Sequence, residues 1–233
     1  MGSRERRSRE RQDTREKILA AARLMFAQEG YEAVTMRAIA QRVEYTPTAI
    51  YHHFANKQAL VTELCNLDFL GLAQHFSRAA AITDPVERIR TIGEAYLQFA
   101  IDHPYHYRFM FMTALPEIVH APEFVAERLG NPQTDGYAFF RLACEQAIQE
   151  QRFRPEFTDS HEVAQLLWAV LHGLISLRIT KPSHEQFLPW RDLRQSARNA
   201  VDVMFRGILR DPATMRVSRD AEPKRGNHVG QPR

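Results

Sequence analysis

Apolar residues recur along most of this chain at three- and four-residue spacings, which is the pattern of helices with one buried face. The pattern runs from residue 60 to about residue 81 and returns between residues 193 and 208. No stretch alternates apolar and polar side chains as a half-buried strand would. The pattern therefore predicts an all-α protein.

The first predicted helix begins at Asp13 or Thr14 and ends at Gly30. Asp13 and Glu16 have the spacing of a capping box, and Gly30 suits the left-handed position that ends a helix. Residues 1 to 12 contain no apolar side chain after Met1, so they are predicted to form a disordered basic arm. Its five arginines would either contact DNA phosphates or a minor groove, or only keep the arm soluble.

Residues 35 to 57, TMRAIAQRVEYTPTAIYHHFANK, predict two short helices separated by a tight turn. Thr35 can cap the first helix, whose inward side carries Ile39 and Val43. Thr46 can cap the second helix, with Pro47 at its first position, where no amide hydrogen is needed. This arrangement is a helix-turn-helix, which predicts contact with DNA.

The remaining pattern predicts a larger helical domain. A long helix from residue 56 to about 81 would connect it to the helix-turn-helix, and helices follow to about residue 209. The segment 159 to 179 is apolar nearly all round, so it must be covered on more than one side. We therefore predict a helix-turn-helix domain at 13–58, an α-helical effector-binding and dimerisation domain at 59–210, and a disordered tail at 211–233.

Composition excludes several classes of protein. The 233 residues are 44% hydrophobic, but no apolar run reaches the roughly 20 residues of a membrane span, and no apolar segment after the N-terminus suggests a signal peptide. A cytoplasmic location and no membrane partner are expected. Cys65 and Cys144 do not form a disulfide or zinc pattern, and the motifs of phosphate loops, serine hydrolases and zinc peptidases are missing. We therefore expect that this protein is not an enzyme and that it has no cofactor and no metal site.

The positive charge is concentrated near the helix-turn-helix. Residues 1 to 57 hold 11 Lys or Arg against 7 Asp or Glu, whereas the remaining residues hold 20 against 21. This asymmetry favours a DNA backbone as partner, because phosphate contacts supply most non-specific affinity. A solvated basic surface is the alternative.

Residues 14 to 60 resemble the DNA-binding domain of the TetR family of bacterial transcriptional regulators. The resemblance is carried by TREKILAAARLMFAQEGY, TMRAIA and TPTAIYHHFANKQAL, in that order and spacing. Two positions depart from the family pattern: Glu44 replaces the usual turn glycine, and Ala49 replaces a frequent hydroxyl residue. A non-glycine residue at positive φ is strained, so Glu44 would carry strain if the turn keeps the backbone that glycine usually adopts there.

The resemblance implies specific DNA-contact roles. Arg37 would reach a base edge, the exposed side of the second helix would face the major groove, and Tyr51 and Lys57 would bind phosphates, in keeping with the chemistry of these side chains. His52 and His53 could instead only end the helix. The predicted DNA-binding residues are Thr35, Arg37, Thr46, Pro47, Thr48, Ala49, Tyr51, His52, His53 and Lys57.

The C-terminal half resembles a subgroup of TetR ligand domains marked by Trp168 and, four residues later, His172 and Gly173, together with FAIDHPYHYRFMF at residues 99 to 111. The resemblance implies fold and dimerisation. We expect an apolar effector pocket, although packing alone would explain the same residues. The predicted pocket residues are Tyr96, Phe99, Tyr107, Phe111, Phe139, Trp168 and His172. The predicted dimer-interface residues are Leu166, Val170, Leu174, Ala197, Val201, Met204, Phe205 and Ile208.

These expectations together predict a homodimeric regulator that binds a palindromic double-stranded operator. A repressor released by a small apolar or amphipathic effector is the leading hypothesis. An activator, or a regulator that responds to no ligand, is the first alternative. The second alternative is an all-α carrier of hydrophobic molecules whose basic N-terminus serves another purpose.

Overall fold

The computed structural model describes residues 3–116, 129–181 and 189–211. Within these ranges the chain forms helices and no strand, which confirms the predicted all-α class; Phe153 and Leu209 form an isolated antiparallel bridge. The predicted tail lies outside the described residues, except for Asp211. The helices are α1 Ser3–Glu29, α2 Met36–Arg42, α3 Pro47–Tyr51, α4 Lys57–Ser77, α5 Pro85–Asp102, α6 Pro104–Met112, α7 Gly136–Gln149, α8 Ser160–Thr180 and α9 Leu193–Ile208.

The three N-terminal helices enclose their own part of the core. Ile18 and Phe26 of α1, Ile39 of α2 and Ile50 of α3 are all fully buried. Gly30 follows α1 with φ 86°, and its amide donates to the Phe26 carbonyl oxygen at 3.0 Å. The glycine therefore ends α1 at the predicted position, because a left-handed residue there satisfies the last carbonyl groups.

Helix α1 begins at Ser3 and not at Asp13, so the prediction of a disordered arm is wrong for residues 3 to 12. Arginine, glutamate and glutamine are good helix formers, and extending a helix that is already packed needs no new nucleation. Contacts four residues apart support the extension: Arg6 Nε lies 3.6 Å from Glu10 Oε1, and Gln12 Nε2 donates to Glu16 Oε1 at 2.9 Å. The five arginines therefore lie on a helix.

Helix α4 runs from the helix-turn-helix into the second half of the chain. The Asn56 side chain caps it by accepting from the Ala59 amide at 2.7 Å, and Leu60 and Leu64 are fully buried. Asp84 then caps α5, and α5 ends before Pro104, which begins α6. Helices α4, α5, α7 and α8 pack together around the second part of the core.

Helix α8 has the length and mean hydropathy, 1.4, that a membrane-spanning helix would need, and it is the one such helix in the described ranges. It packs against α5, α6, α7 and α9, and its buried residues are Val163, Ala164, Leu167, Leu171 and Ile175. Length and composition do not distinguish a core helix from a membrane span. Its contacts with four neighbouring helices account for the apolar character of its buried side.

Both cysteines are buried, and neither forms a disulfide within the described residues. Burial raises the pKa of the Cys144 thiol to about 12. The thiol therefore stays protonated and unreactive at neutral pH, because the thiolate is the reactive form.

Candidate DNA-binding interface and effector cavity

Helix α2 begins at a side-chain cap and turns one apolar face into the core. The Thr35 Oγ1 atom accepts a hydrogen bond from the Ala38 amide at 3.1 Å. Ile39 and Ala40 are fully buried, whereas Arg37 is exposed. The cap and the buried face fix the orientation of α2, so the Arg37 guanidinium is available for a bidentate bond to guanine.

The turn after α2 contains a residue in the left-handed conformation. Glu44 has φ 60°, so a non-glycine residue occupies the positive-φ position of this turn, with the strain expected there. The Glu44 amide donates to the Gln41 carbonyl oxygen at 3.2 Å, and the Tyr45 amide donates to that of Ala40 at 2.9 Å. These bonds close the end of α2 and set the direction in which the chain enters α3.

Helix α3 presents a polar surface from a rigid base. The Thr46 Oγ1 atom accepts from the Ala49 amide at 3.2 Å, and Pro47 occupies the first helical position. Ile50 and Phe54 anchor the helix in the core. The predicted contact residues that are exposed on this unit are Thr35, Arg37, Thr46, Pro47, Thr48, Tyr51 and His52; Ala49 is half-buried.

His53 differs from His52 because it faces helix α1. Its side chain is half-buried, its Nδ1 atom is buried without a hydrogen-bond partner in the described part of the chain, and its carbonyl oxygen accepts from Arg15 at 3.4 Å. Burial lowers the pKa of His53, and nearby Arg11, Arg15 and His52 lower it further. The imidazole is therefore neutral at pH 7.

Lys57 lies at the start of α4 against another aromatic ring. Its Nζ atom is 4.0 Å from the centre of the Tyr31 ring and 3.5 Å from the Glu32 carbonyl oxygen. A lysine over an aromatic face can still direct an N–H group to a phosphate.

The basic part of α1 extends beside the end of α3, the recognition helix of the helix-turn-helix. A polar groove there is lined by Ser8, Arg9, Arg11, Gln12, Arg15 and His53. Arg15 pairs with Glu63 of α4 and lies 4.5 Å from the centre of the Phe54 ring, so α1 is held against the segment that follows α3. The arginines preceding this contact therefore extend the positive surface of the helix-turn-helix.

The larger domain contains an apolar cavity of about 300 Å³ between α4, α5, α7 and α8. The volume is at the lower end of the range of roughly 300 to 1,000 Å³ that is usual for small-molecule sites. Aliphatic side chains of α5 and α8 contribute to the wall, and Asp135 is its one charged residue among those described. The aromatic residues that line it are Phe69, Phe76, Tyr96, Phe111, Tyr137, Phe140, Trp168 and Phe205.

A chain of hydrogen bonds lies behind one wall of the cavity. Trp168 Nε1 donates to the Tyr96 hydroxyl at 2.9 Å, and that hydroxyl donates to the Tyr107 hydroxyl at 2.9 Å. The Tyr107 oxygen lies 2.6 Å from His172 Nδ1, and His172 Nε2 lies 3.1 Å from the Ser176 hydroxyl. Burial lowers the pKa of His172, so the ring is neutral; Nδ1 then accepts from Tyr107 and Nε2 carries the hydrogen.

Comparison with known proteins assigns both parts of the chain. The family model described as bacterial regulatory proteins of the tetR family matches residues 18–64, and that of the tetracyclin repressor-like C-terminal domain matches residues 89–204. The chain belongs to the TetR family. As a member of this family, it is a helix-turn-helix regulatory protein and not an enzyme.

Individual TetR-family relatives match parts of the chain. The regulator UidR of Escherichia coli K12 is 32% identical over 125 residues, which are 53% of this chain and 56% of UidR. The repressor KstR2 of Mycobacterium tuberculosis H37Rv is 29% identical over 144 residues, 61% of this chain and 70% of KstR2. The match thus spans little more than half the length of UidR. The crystal structure of PfmR from Thermus thermophilus is 23% identical, covers 81% of this chain and 97% of PfmR, and has a TM-score of 0.64, which shows the shared fold.

The structure separates the predicted pocket residues of this TetR-family domain into three groups. Tyr96, Phe111 and Trp168 line the cavity. Tyr107 and His172 lie one layer behind, in the hydrogen-bonded chain. Phe99 and Phe139 do not line the cavity, so the prediction is wrong for these two.

The positions of Phe99 and Phe139 follow from helix orientation. The Phe99 ring packs 5.4 Å from that of His75 and 5.3 Å from that of His103, on another side of α5. Phe139 follows the cavity-lining Tyr137 by two positions, which places it on a different face of α7. The sequence pattern missed Phe69 and Phe76 of α4 as wall residues, because their helical spacing is that of any core position.

The predicted dimer surface is only partly exposed. Leu166 is 42% exposed, and Val170, Leu174, Val201 and Met204 are half-buried. Ala197, Phe205 and Ile208 are buried within their own subunit, so their assignment to the interface is wrong: α9 turns its most apolar stripe inward. Two residues that the sequence pattern did not indicate have larger exposed fractions, Leu177 at 51% and Val203 at 66%.

A buried ion pair joins the DNA-binding unit to α4. Arg23 of α1 donates from Nε and Nη2 to the two carboxylate oxygens of Asp68, at 2.8 and 2.7 Å. His106 Nδ1 of α6 lies 3.3 Å from the same carboxylate. One buried carboxylate therefore contacts α1, α4 and α6, so a shift of one helix must disturb the others or break a bond that is costly to lose.

Proposed function

We propose that this protein is a dimeric, sequence-specific DNA-binding repressor of the cytoplasm that leaves a palindromic operator when a small effector occupies its cavity. The observation that carries the proposal is the capped α2–α3 unit, whose buried residues hold Arg37, Thr48 and His52 on one exposed surface beside the basic end of α1. Guanidinium, hydroxyl, methyl and imidazole groups on a short helix suit base edges in a major groove.

The exposed apolar surface of the last two helices supports the dimer. Leu166 and Leu177 of α8 and Val203 of α9 are exposed, whereas core-facing residues on the same helices are buried. Two subunits would place two recognition helices about 34 Å apart, the distance between successive major grooves on one side of DNA. A palindromic site follows from that symmetry.

Helix α6 supplies the route between cavity and DNA. Phe111 of α6 lines the cavity, whereas Phe109 stacks on Phe26 of α1 with ring centres 6.0 Å apart. A ligand that displaces the Phe111 ring would therefore shift α6 against α1. Release requires that the ligand binds better to the shifted state, since only differential affinity moves the equilibrium.

The experiment is a DNA titration with an operator selected from random sequences by the purified protein. Arg37→Ala and His52→Ala should each weaken operator binding by roughly 1 to 3 kcal/mol at fixed salt. Arg78→Ala is the matched control, because Arg78 is an exposed arginine after α4, and it should leave affinity unchanged. Selection of no preferred sequence, or equal losses in all three variants, would refute the proposed interface.

The apolar cavity also fits a carrier of hydrophobic molecules, which is the second candidate function. A carrier would show DNA binding that is independent of sequence and unaffected by Arg37→Ala. Solvent extraction of the purified protein and a DNA titration across salt concentrations separate the two functions. Comparison of transcripts with and without the protein then distinguishes repression from activation.

A further inference from the structure

The polar side chains at the cavity wall already have hydrogen-bond partners within the protein. Trp168 Nε1 donates to Tyr96, and Tyr96 donates to Tyr107, so neither side chain has a hydrogen left for a ligand. The Tyr137 hydroxyl is 3.0 Å from His161 Nδ1 and accepts from Gln165 Nε2 at 3.4 Å. Trp168 and Tyr96 therefore lie at the cavity wall but have no free hydrogen-bond donor for a ligand.

The charged residue at the wall is also committed. Asp135 Oδ1 accepts from the amides of Tyr137 and Ala138 at 3.0 and 3.2 Å, and Oδ2 accepts from the Gly130 amide at 3.0 Å. The three amides and the start of α7 stabilise the carboxylate. Its negative charge still faces the cavity, where it disfavours a second anion.

No lysine, arginine or histidine lines the cavity within residues 3–116, 129–181 and 189–211. A carboxylate or phosphate entering it would lose its water without gaining a cation or an N–H donor from these residues, and an unpaired buried charge is very costly. Apolar rings, in contrast, lose little and gain contact with the aromatic wall.

We propose that this cavity selects an uncharged, ring-sized apolar molecule and discriminates against its anionic counterpart. The inference rests on the proposed function for its regulatory meaning, but the selectivity belongs to the cavity and can be measured without DNA. A hydroxyl on the ligand is tolerated, because the Tyr96 oxygen accepts one hydrogen bond from Trp168 and retains a second lone pair.

The test is isothermal titration calorimetry of the full chain at neutral pH with two probes that share one ring system: 1-naphthalenemethanol and 1-naphthoate. The alcohol should bind at least about tenfold more tightly than 1-naphthoate, since the carboxylate must shed hydration without a new partner. Binding of 1-naphthoate within about threefold of the alcohol, or no binding of the alcohol, would overturn the proposal.

A charge placed at the rim locates the selectivity. Leu129 lines the cavity and is 57% exposed, so Leu129→Lys can extend its ammonium group into solvent while the protein stays folded. This variant should bind 1-naphthoate more tightly than the parent does. Leu142→Lys, at an exposed leucine of α7 that does not line the cavity, should match the parent. Equal affinity of both variants for 1-naphthoate would count against the cavity as the binding site.

Operator titrations with the same probes separate this inference from the proposed function. If 1-naphthalenemethanol binds selectively but leaves the operator complex intact, effector release is refuted and the selectivity stands. If 1-naphthoate binds as well as the alcohol and releases DNA, the selectivity is refuted and effector release stands.

Discussion

Replacing Glu44 with glycine should stabilise the protein, because this residue holds the turn of the helix-turn-helix at φ 60°. A side chain in the left-handed region costs about 1 to 2 kcal/mol, which Glu44→Gly removes. Glycine adds freedom to the unfolded chain and so costs about 0.5 to 1 kcal/mol. The two ranges leave a net gain of about 0 to 1.5 kcal/mol in the free energy of unfolding, with a midpoint of about 0.75 kcal/mol.

Two further variants test whether φ is the cause. Glu44→Ala removes the carboxylate but keeps Cβ, so its stability should stay within about 0.5 kcal/mol of the parent. Glu94 is an exposed residue inside α5, where the backbone is helical and not strained. Glu94→Gly should therefore destabilise the protein by about 1 kcal/mol.

Urea unfolding followed by circular dichroism measures all three variants, with the midpoint compared at a common slope. The reasoning predicts opposite signs for the same glutamate-to-glycine change at residues 44 and 94. It is refuted if Glu44→Gly lowers the midpoint as Glu94→Gly does, or if Glu44→Ala stabilises as much as Glu44→Gly.

Three other predictions concern charges. Asp68→Asn should destabilise the protein by about 3 to 5 kcal/mol in urea unfolding, because it leaves the buried Arg23 guanidinium without its charged partner; a loss below about 1 kcal/mol would contradict this. Burial lowers the pKa of His172 in the folded protein. The stability that the neutral ring contributes is therefore present above the unfolded-state pKa of about 6.5, and it is lost as the pH falls through the folded-state pKa. The urea midpoint should therefore fall on acidification, and less steeply in His172→Asn; a midpoint that rises would refute this sign. Lys57→Ala should weaken binding to all DNA sequences alike and reduce the salt dependence by about one phosphate contact, and a loss confined to the operator would disprove the phosphate role.

Local signals in the sequence predicted much of the DNA-binding unit. Thr35, Thr46 and Asn56 each cap a helix through a bond to an amide three residues ahead, so these boundaries follow from short-range chemistry. Gly30 ends α1 for the same local reason, and the unusual backbone at Glu44 was visible as a departure from the family pattern. The all-α class followed from the helical spacing of apolar residues.

Local signals failed where a long-range contact decides the outcome. Residues 3 to 12 lack apolar side chains and resemble a disordered arm, but they continue a helix that Ile18, Ala22 and Phe26 anchor in the core. The anchored part supplies the nucleus, so the arginines are ordered by elongation.

The amino-acid sequence by itself determined the helical class, the helix-turn-helix with the caps of its two helices, and the location of the positive charge, because each depends on neighbours within a few residues. Only the tertiary structure decided which aromatic rings face the cavity and which faces of α8 and α9 are left exposed. Tyr96 and Phe99 lie on one helix at a spacing that fits a shared apolar face, yet one lines the cavity and the other packs on His75. The physical reason is that burial depends on the neighbouring helix, and the helical period does not specify which neighbour that is.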